Sequence, residues 1–557
     1  MKKILLFLIL LSTCLSWINP FHYGIWRTAH SEFFIFFSLI LLFIYTLINN
    51  QKLILNRSDL FFILISIIPI IQYLLGKIFF FGDAFIVSLY LLGFFIALTV
   101  GRNLTLSDKL NEKSFIFFSG VIIFSALISF YTQLNQWLML GKYIVFIAEM
   151  PPGGRPFANF AQPNTLATFY LIAIFSSIYL YEKSRITKTT ISILLVLLIF
   201  GITLTQSRTP WIFLSCFILW WFFKGRSMES SKLSTYHIMG FGSVFILFTF
   251  LVPYLSEVLF LSVQSLEQRM TGGMIRLSLW KQMLIAISNE PLWGYGWQQV
   301  SNAQIMTTLK YPISMWTEHS HNILIDLLVW NGIPLGVAII IVICIWLKSF
   351  ISPVIKIENF WFLSAVGAVI VHSMFEYPLE YAFLLLPVGF LLGLMQGENN
   401  RVSLISLSFS KAIIICILGI STFIIVFIDY SKLEKDMMLA RFEVLNIGDL
   451  HANHKTPDVF LLTQLQAKIA LMRTLPTENM SQVEQNQIYN TTLRYATQGA
   501  LIKYAQVLAL NGNKKKAQDQ IYIINKLYKI NLDYDLLLQL YSDKSLAYEW
   551  QNKEKFK

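Results

Sequence analysis

Side chains able to do chemistry gather at a few places in this sequence. One is the stretch 151–164, Pro-Pro-Gly-Gly-Arg-Pro-Phe-Ala-Asn-Phe-Ala-Gln-Pro-Asn, where turn-forming residues bend the backbone and Arg155, Asn159, Gln162 and Asn164 offer hydrogen-bonding groups. An ordinary loop returning the chain to a membrane would use the same residue types. A second is Gln206-Ser207-Arg208-Thr209-Pro210, a tight turn with a single Arg between two apolar runs. That Arg could equally snorkel to lipid headgroups. A third holds Arg269, Gly272-Gly273 and Arg276-Leu277-Ser278-Leu279-Trp280-Lys281. With Leu284 it reads as an amphipathic helix lying on the bilayer, either a plain interfacial helix or one that directs its cations at an anionic group.

The fourth place is Glu318-His319-Ser320-His321-Asn322, which opens an apolar run and is followed by Asn331-Gly332-Ile333-Pro334. Imidazole titrates near neutral pH, so a neutral His there can take a proton from a hydroxyl. His319 and His321 as a metal pair is disfavoured, because on a helix residues two apart point in different directions. Another polar cluster, His372-Ser373-Met374-Phe375-Glu376-Tyr377-Pro378, separates two later apolar runs. Acids are scarce: the segment 255–320 has no Asp, hence no Asp-x-Asp to hold a metal on a nucleotide sugar, and its only carboxylates are Glu257, Glu267, Glu290 and Glu318. Without a Gly-rich phosphate loop, nucleotide-driven chemistry is disfavoured. Arginine forks suit a pyrophosphate, whose oxygens they bind bidentately, and a lipid diphosphate presents that group at membrane depth.

The elements that must position these residues are membrane helices. Of 557 residues 56% are hydrophobic and only 13% charged, against about a quarter charged in soluble domains. Apolar stretches of membrane-spanning length occur at 4–18, 32–48, 60–76, 84–100, 114–138, 164–181, 190–206, 209–223, 236–254, 321–347, 359–375, 380–396 and 411–429. The net charge of +12 follows topology and does not call for a nucleic acid partner. With the N-terminus inside, the inner segments hold Lys2, Lys3, Lys52, Arg57, Arg102, Lys109, Lys113, Lys183, Arg185, Lys188, Lys224, Arg226, Lys232, Lys348, Lys356, Arg401 and Lys411. The short outer connections hold only Arg27, Lys77, Lys142, Arg155 and Arg208. The start, Met1-Lys2-Lys3 and an apolar run, is read as an uncleaved first span. Cys14, Cys216, Cys344 and Cys416 all fall in apolar runs and build no disulfide framework.

These readings give an all-α, polytopic membrane bundle of about thirteen spans, N-terminus in and C-terminus out, with two large outer segments. The predicted divisions are N-terminal transmembrane helices (1–140), a transmembrane region (141–254), an outer loop (255–320), C-terminal transmembrane helices (321–429) and an outer helical domain (430–557). In the last, Leu501, Tyr504, Ala505, Leu508 and Ala509 form a helical stripe, Asn511-Gly512-Asn513 breaks it, and Ala517, Ile521, Ile524 and Tyr528 resume it. This is a helical hairpin of the kind used in repeats, serving either for packing or for docking an acceptor.

The clusters resemble the O-antigen ligase and polymerase (Wzy_C) superfamily, and within it the PglL-type bacterial protein O-oligosaccharyltransferases. The segment Arg155-Pro156-Phe157-Ala158-Asn159-Phe160-Ala161-Gln162-Pro163-Asn164 is the most specific match. The stretch from Arg276 through His321-Asn322 to Gly336 resembles the shared ligase domain, about 195–350, and the C-terminal region resembles the soluble, TPR-like extension of protein-glycosylating members. The resemblance implies transfer of a preassembled oligosaccharide from undecaprenyl diphosphate to Ser or Thr of a pilin or another periplasmic protein, at the periplasmic face of the inner membrane, with no metal or other cofactor. By position it implies His321 as the catalytic residue and Arg208 and Arg276 as ligands of the donor diphosphate. Gln162, Tyr377, Asn164, Arg155 and Asn322 would position substrate, while His319 and Arg269 have no counterpart. Ligation to lipid A core and glycan polymerisation are the alternatives within the superfamily. A flippase would be expected to place its polar groups at mid-membrane, and the Trp-Trp-Asp signature of N-linking enzymes is absent.

Overall fold

Backbone N–H and C=O groups cannot stay unpaired in hydrocarbon, so each long apolar run must fold as a helix. The computed structural model describes residues 2–50, 52–105, 108–141, 144–151, 153–225, 231–261, 266–351, 356–397, 404–445, 447 and 455–543. Met1, Lys142, Pro152, Arg226 and Arg401 lie outside the described residues, as do the side chains of Lys109 and Arg269. The helices are α1 (Lys2–Ile18), α2 (Ala29–Asn49), α3 (Phe61–Leu74), α4 (Phe81–Thr105), α5 (Asp108–Trp137), α6 (Pro163–Glu182) and α7 (Lys188–Leu204). Next come α8 (Thr209–Phe223), α9 (Thr235–Val258), α10 (Leu266–Asn289), α11 (Val300–Thr308), α12 (Ile323–Ile351), α13 (Ile357–Ser373), α14 (Ala382–Gly397) and α15 (Phe409–Val444). The chain closes with α16 (Thr463–Arg473), α17 (Gln482–Arg494), α18 (Gln498–Leu510), α19 (Lys514–Tyr528) and α20 (Tyr534–Ser542).

Every predicted apolar stretch is helical. Among the described residues 8 helices are long and apolar enough to cross a membrane, while α7, α8, α13 and α14 are apolar but shorter. One expectation is corrected. The tenth helix of this type starts at Ile323, so His319 and His321 lie in irregular chain before it and helical geometry does not govern their directions. The last apolar helix, α15, runs unbroken for 36 residues to Val444, because its hydrogen-bond ladder continues where polar residues replace apolar ones.

The chain divides into two compact units, Met1–Leu64, Leu89–Gln268 and Val342–Ile424 in the first, and Ile65–Ser88, Arg269–Ile341 and Ile425–Lys557 in the second. In the first, α6 is deeply enclosed, with 89% of its apolar window buried. Its Phe175 packs on Phe213, Phe217 and Trp361. Two short strands, β1 (Lys52–Asn56) and β2 (Leu404–Ser408), pair antiparallel from Lys52 opposite Ser408 to Asn56 opposite Leu404. Asn103 pairs with Ile54 like a further peptide group, accepting from its N–H and donating to its C=O at 2.9 Å each.

In the second unit α18 and α19 form the predicted hairpin: Leu501, Ala505, Leu508, Ala517, Ile521 and Ile524 are buried, and Gly512 turns the chain at φ +80°. The core they share with Leu527 and Leu537 also takes in Ile305 of α11, so the loop helix is part of this packing. Lys503 caps α16, its ammonium donating to the last carbonyls of that helix, Leu471 and Met472. Burial lowers its pKa to about 8. A groove of about 500 Å³ beside α16 is lined by Lys455, Asp458, Gln466 and Arg473 together with Phe80 and Ala467.

Candidate active site

The predicted site residues fall in both units: Arg155, Gln162, Asn164, Arg208 and Tyr377 in the first, Arg276, His321 and Asn322 in the second.

In the first unit the 155–164 segment is held open by buried side-chain amides. Gln136, on α5, accepts from the N–H groups of Phe157 and Ala158 at 2.9 and 2.7 Å and donates to the carbonyls of Ala148 and Ala158 at 2.8 and 2.7 Å. Asn159 works the same way, accepting from Ala148 N–H at 2.9 Å and donating to the carbonyls of Ile18 and Phe146 at 2.7 and 2.9 Å. It is 4% exposed, so its part is to staple the loop. With these bonds in place the chain holds Ala158 and Ala161 at φ +51° and +57°, conformations costly for a residue with a Cβ. His22 lies against the same loop, with Nε2 2.7 Å from the carbonyl of Asn159, and burial lowers its pKa.

The segment ends by starting α6, with Pro163 at the first helical position, where no N–H is needed. That start aims Gln162 and Asn164 at one carboxyl group. Glu376 accepts from Gln162 Nε2 at 3.2 Å and from Asn164 Nδ2 at 3.0 Å. Gln162 is oriented from its other end by Thr165, whose hydroxyl donates to Oε1 at 2.9 Å. One turn on, Thr168 Oγ1 lies 2.9 Å from His372 Nδ1, so α6 and the end of α13 share a buried polar seam. Glu376 is 3% exposed, and its partly exposed neighbour Tyr377 packs against Tyr381 with ring centroids 5.8 Å apart. Arg155 reaches the turn after α7, its guanidinium donating to the carbonyl of Gln206 at 3.5 Å. In that turn Gln206 sits at φ +50° and Arg208, directly before α8, is exposed.

In the second unit the histidines occupy a loop pinned on several sides. Trp280 of α10 donates its indole N–H to the carbonyl of Ser320 at 2.9 Å, which ties the helix carrying Arg276 to the histidine loop. Ser320 N–H donates to Asp326 at 2.8 Å, and the Ser320 hydroxyl to the carbonyl of Asn322 at 2.9 Å. Asn322 caps α12, its Oδ1 accepting from the N–H groups of Leu324 and Ile325 at 3.0 and 3.2 Å. His321 itself is half-buried and held at φ +59°. On α10, Leu279 and Met283 face inward, while Leu277 and Leu284, seven residues apart on one face, are exposed.

The base of the loop is fixed by ion pairing. Arg494, at the end of α17, donates Nε to both oxygens of Asp83 at 3.0 Å, one terminal nitrogen to Glu318 at 3.4 Å and the other to Gln298 at 3.2 Å. Desolvation opposes the charge on Glu318, but the Arg494 cation, with a smaller contribution from His319, holds its pKa below the usual carboxylate range. The start of α12 is anchored too. Its helix breaks at Gly332 (φ +71°), where Tyr295 and Gly296 N–H groups take the carbonyls of Val329 and Trp330 at 2.8 and 3.1 Å. A methyl group on Gly332 would meet the backbone of Leu292 at 2.5 Å, so the two chains can approach only through glycine.

Sequence reasoning singled out the 372–378 cluster but assigned no role to Glu376, and it missed Gln136, Asp83 and Arg494. Gln136 and Asp83 carried a readable signal: each is a polar residue in or beside a membrane-length helix, where retention is costly.

The O-antigen ligase family model matches residues 193–340, which include Arg208, Arg276 and His321. A second model, the C-terminal part of a virulence factor membrane-bound polymerase, matches residues 360–532, which include Tyr377. The general O-oligosaccharyltransferase of Acinetobacter baylyi is 34% identical over 547 residues, 96% of this chain and 94% of that protein. The ComP-specific O-oligosaccharyltransferase of the same organism is 31% identical over 415 residues, 73% of this chain and 74% of that protein. This chain belongs to the PglL-type protein O-oligosaccharyltransferases.

Proposed function

We propose that the chain transfers a preassembled oligosaccharide from undecaprenyl diphosphate to Ser or Thr hydroxyls of exported proteins, at the periplasmic face of the inner membrane. In this reading all the apolar helices, α1 included, cross the bilayer, about thirteen spans in total with the C-terminal, TPR-like helices outside. His321 takes the proton from the acceptor hydroxyl, whose oxygen attacks the anomeric carbon from the side opposite the diphosphate. The bond from that carbon to the diphosphate oxygen breaks, the sugar inverts, and undecaprenyl diphosphate leaves with its charge on Arg208 and Arg276. Gln162, Asn164, Arg155 and Tyr377 position the sugar or acceptor, and Asn322 sets the start of α12 beside the base. The acceptor is a pilin or another exported protein.

The observation that carries the reading is the Trp280 bond to Ser320, which joins the helix of Arg276 to the loop of His321, together with similarity along nearly the whole chain to a protein O-oligosaccharyltransferase. The test is transfer in membranes from a lipid-diphosphate oligosaccharide to a purified exported acceptor, with the glycosylated residue mapped by mass spectrometry. Glycan on Ser or Thr is expected; glycan on lipid A core, or lengthened glycan alone, would replace this reading with ligation or polymerisation.

A further inference from the structure

The C-terminal helical domain meets the segment before the histidine loop at a buried guanidinium, that of Arg494, besides the packing of Trp316 against its core. Arg494 and Asp83 are 8% and 2% exposed, and the guanidinium also lies 4.8 Å over the ring of Tyr495. Its donors serve three chain segments: Asp83 at the start of α4, Gln298 just before α11, and Glu318, three residues before His321. Gln298 adopts φ +60°, so the segment there is held in a costly shape by what binds it. Between Glu318 and His321 little slack remains. The Thr317 hydroxyl donates to the carbonyl of His319 at 2.6 Å, and Ser320 is clamped from both sides by Trp280 and Asp326.

We propose that Arg494 is a positioning residue for His321, setting the height of the histidine loop through Glu318. The proposal rests on the reading of His321 as the base. A guanidinium stays charged at any working pH, and its fork engages several acceptors at once. Without it, Asp83 and Glu318 become neighbouring carboxylates that have lost their shared cation, with only His319 and Lys468 left to act on Glu318, and the more exposed member of the pair, Glu318, is the one able to move toward water. The rigid link to Ser320 carries that movement to His321, and a displacement of about 1 Å costs on the order of 100-fold in rate. The domain at the chain's end therefore takes part in the chemistry through geometry, whatever it also binds.

The test uses the full chain in membranes, with lipid-diphosphate oligosaccharide and acceptor protein, measuring kcat and KM for each. Arg494→Met is expected to lower kcat roughly 100-fold with either KM changed less than about threefold. Glu318→Gln, which removes only the exposed partner, is expected to lower kcat about tenfold, and the double variant to be no slower than Arg494→Met alone. If Arg494→Met fails to accumulate, Glu318→Gln decides. Wild-type kcat in Glu318→Gln, or multiplicative losses in the double variant, would overturn the proposal. His321→Ala run alongside separates the two readings: its inactivity with full turnover in Glu318→Gln removes only the positioning role, whereas full turnover in His321→Ala removes the base assignment itself.

Discussion

The carboxyl groups of Glu376, which is buried, and Glu318, which is partly exposed, both lie near candidate site residues, yet they are held by opposite means. Glu376, in the first unit, takes two neutral amide donors, Gln162 and Asn164. Glu318, in the second, takes one arm of a guanidinium whose strongest bonds go to Asp83. Neutral amides fix direction and leave the carboxyl as the dominant acceptor of its cluster, a cluster suited to orienting hydroxyls of a sugar or acceptor. A guanidinium fixes position over several segments at once and is insensitive to pH, which suits a scaffold for a base.

The largest effects are expected at the groups proposed to do the chemistry. His321→Ala should reduce transfer by about 1,000-fold or more in a membrane assay, and retention of the wild-type rate would remove the second unit's claim to the base. Arg276→Lys and Arg208→Lys keep the charge and lose the fork, so each should cut kcat/KM for the lipid donor by roughly 10–100-fold, read from initial rates over donor concentration. An unchanged donor dependence would mean that the arginine concerned only meets headgroups.

The sharpest contrast is between two isosteric changes. Glu376→Gln turns one acceptor oxygen into a donor facing Gln162 or Asn164, and should destabilise the protein by about 1–3 kcal/mol while also slowing transfer. Glu318→Gln should slow transfer with little change in melting temperature. Equal effects of the two on thermal melting would mean that both carboxyl groups are held in the same way.

The smallest effect concerns Lys503. Its pKa falls from 10.5 unfolded to about 8 folded, so below pH 8 both states hold the proton and the cost of burying the cation is fully present. Between pH 8 and 10.5 the unfolded state binds more protons, and stability rises with pH. Melting of the wild type relative to Lys503→Met should therefore gain about 1–2 °C from pH 7.5 to 9.5. A flat difference would show that the ammonium remains solvated.

Helix positions were legible because hydrocarbon leaves the backbone no alternative, and the Arg208 turn and the α18–α19 hairpin were legible because breakers stand between periodic runs. What sequence could not supply was partnership. Asp83 and Arg494 are 411 residues apart, and nothing local to either marks the other. Gln162 was singled out by motif, but its use depends on Glu376, 214 residues away, and on Thr165 turning its amide the right way round. The histidine loop was misjudged as helical because its polar residues abut an apolar run. The Asn322 cap sets the true start of α12 just beyond them.

The ribbon of β1 and β2 imposes a parity rule on the chain. Two strands that share hydrogen bonds from Lys52 to Ser408 must lie on the same side of a bilayer, so the polypeptide between them crosses it an even number of times. Adding or deleting a single crossing anywhere between Asn56 and Leu404 would pull the strands to opposite faces. Reporter tags placed beside each strand should therefore always be accessible together, whichever face that is.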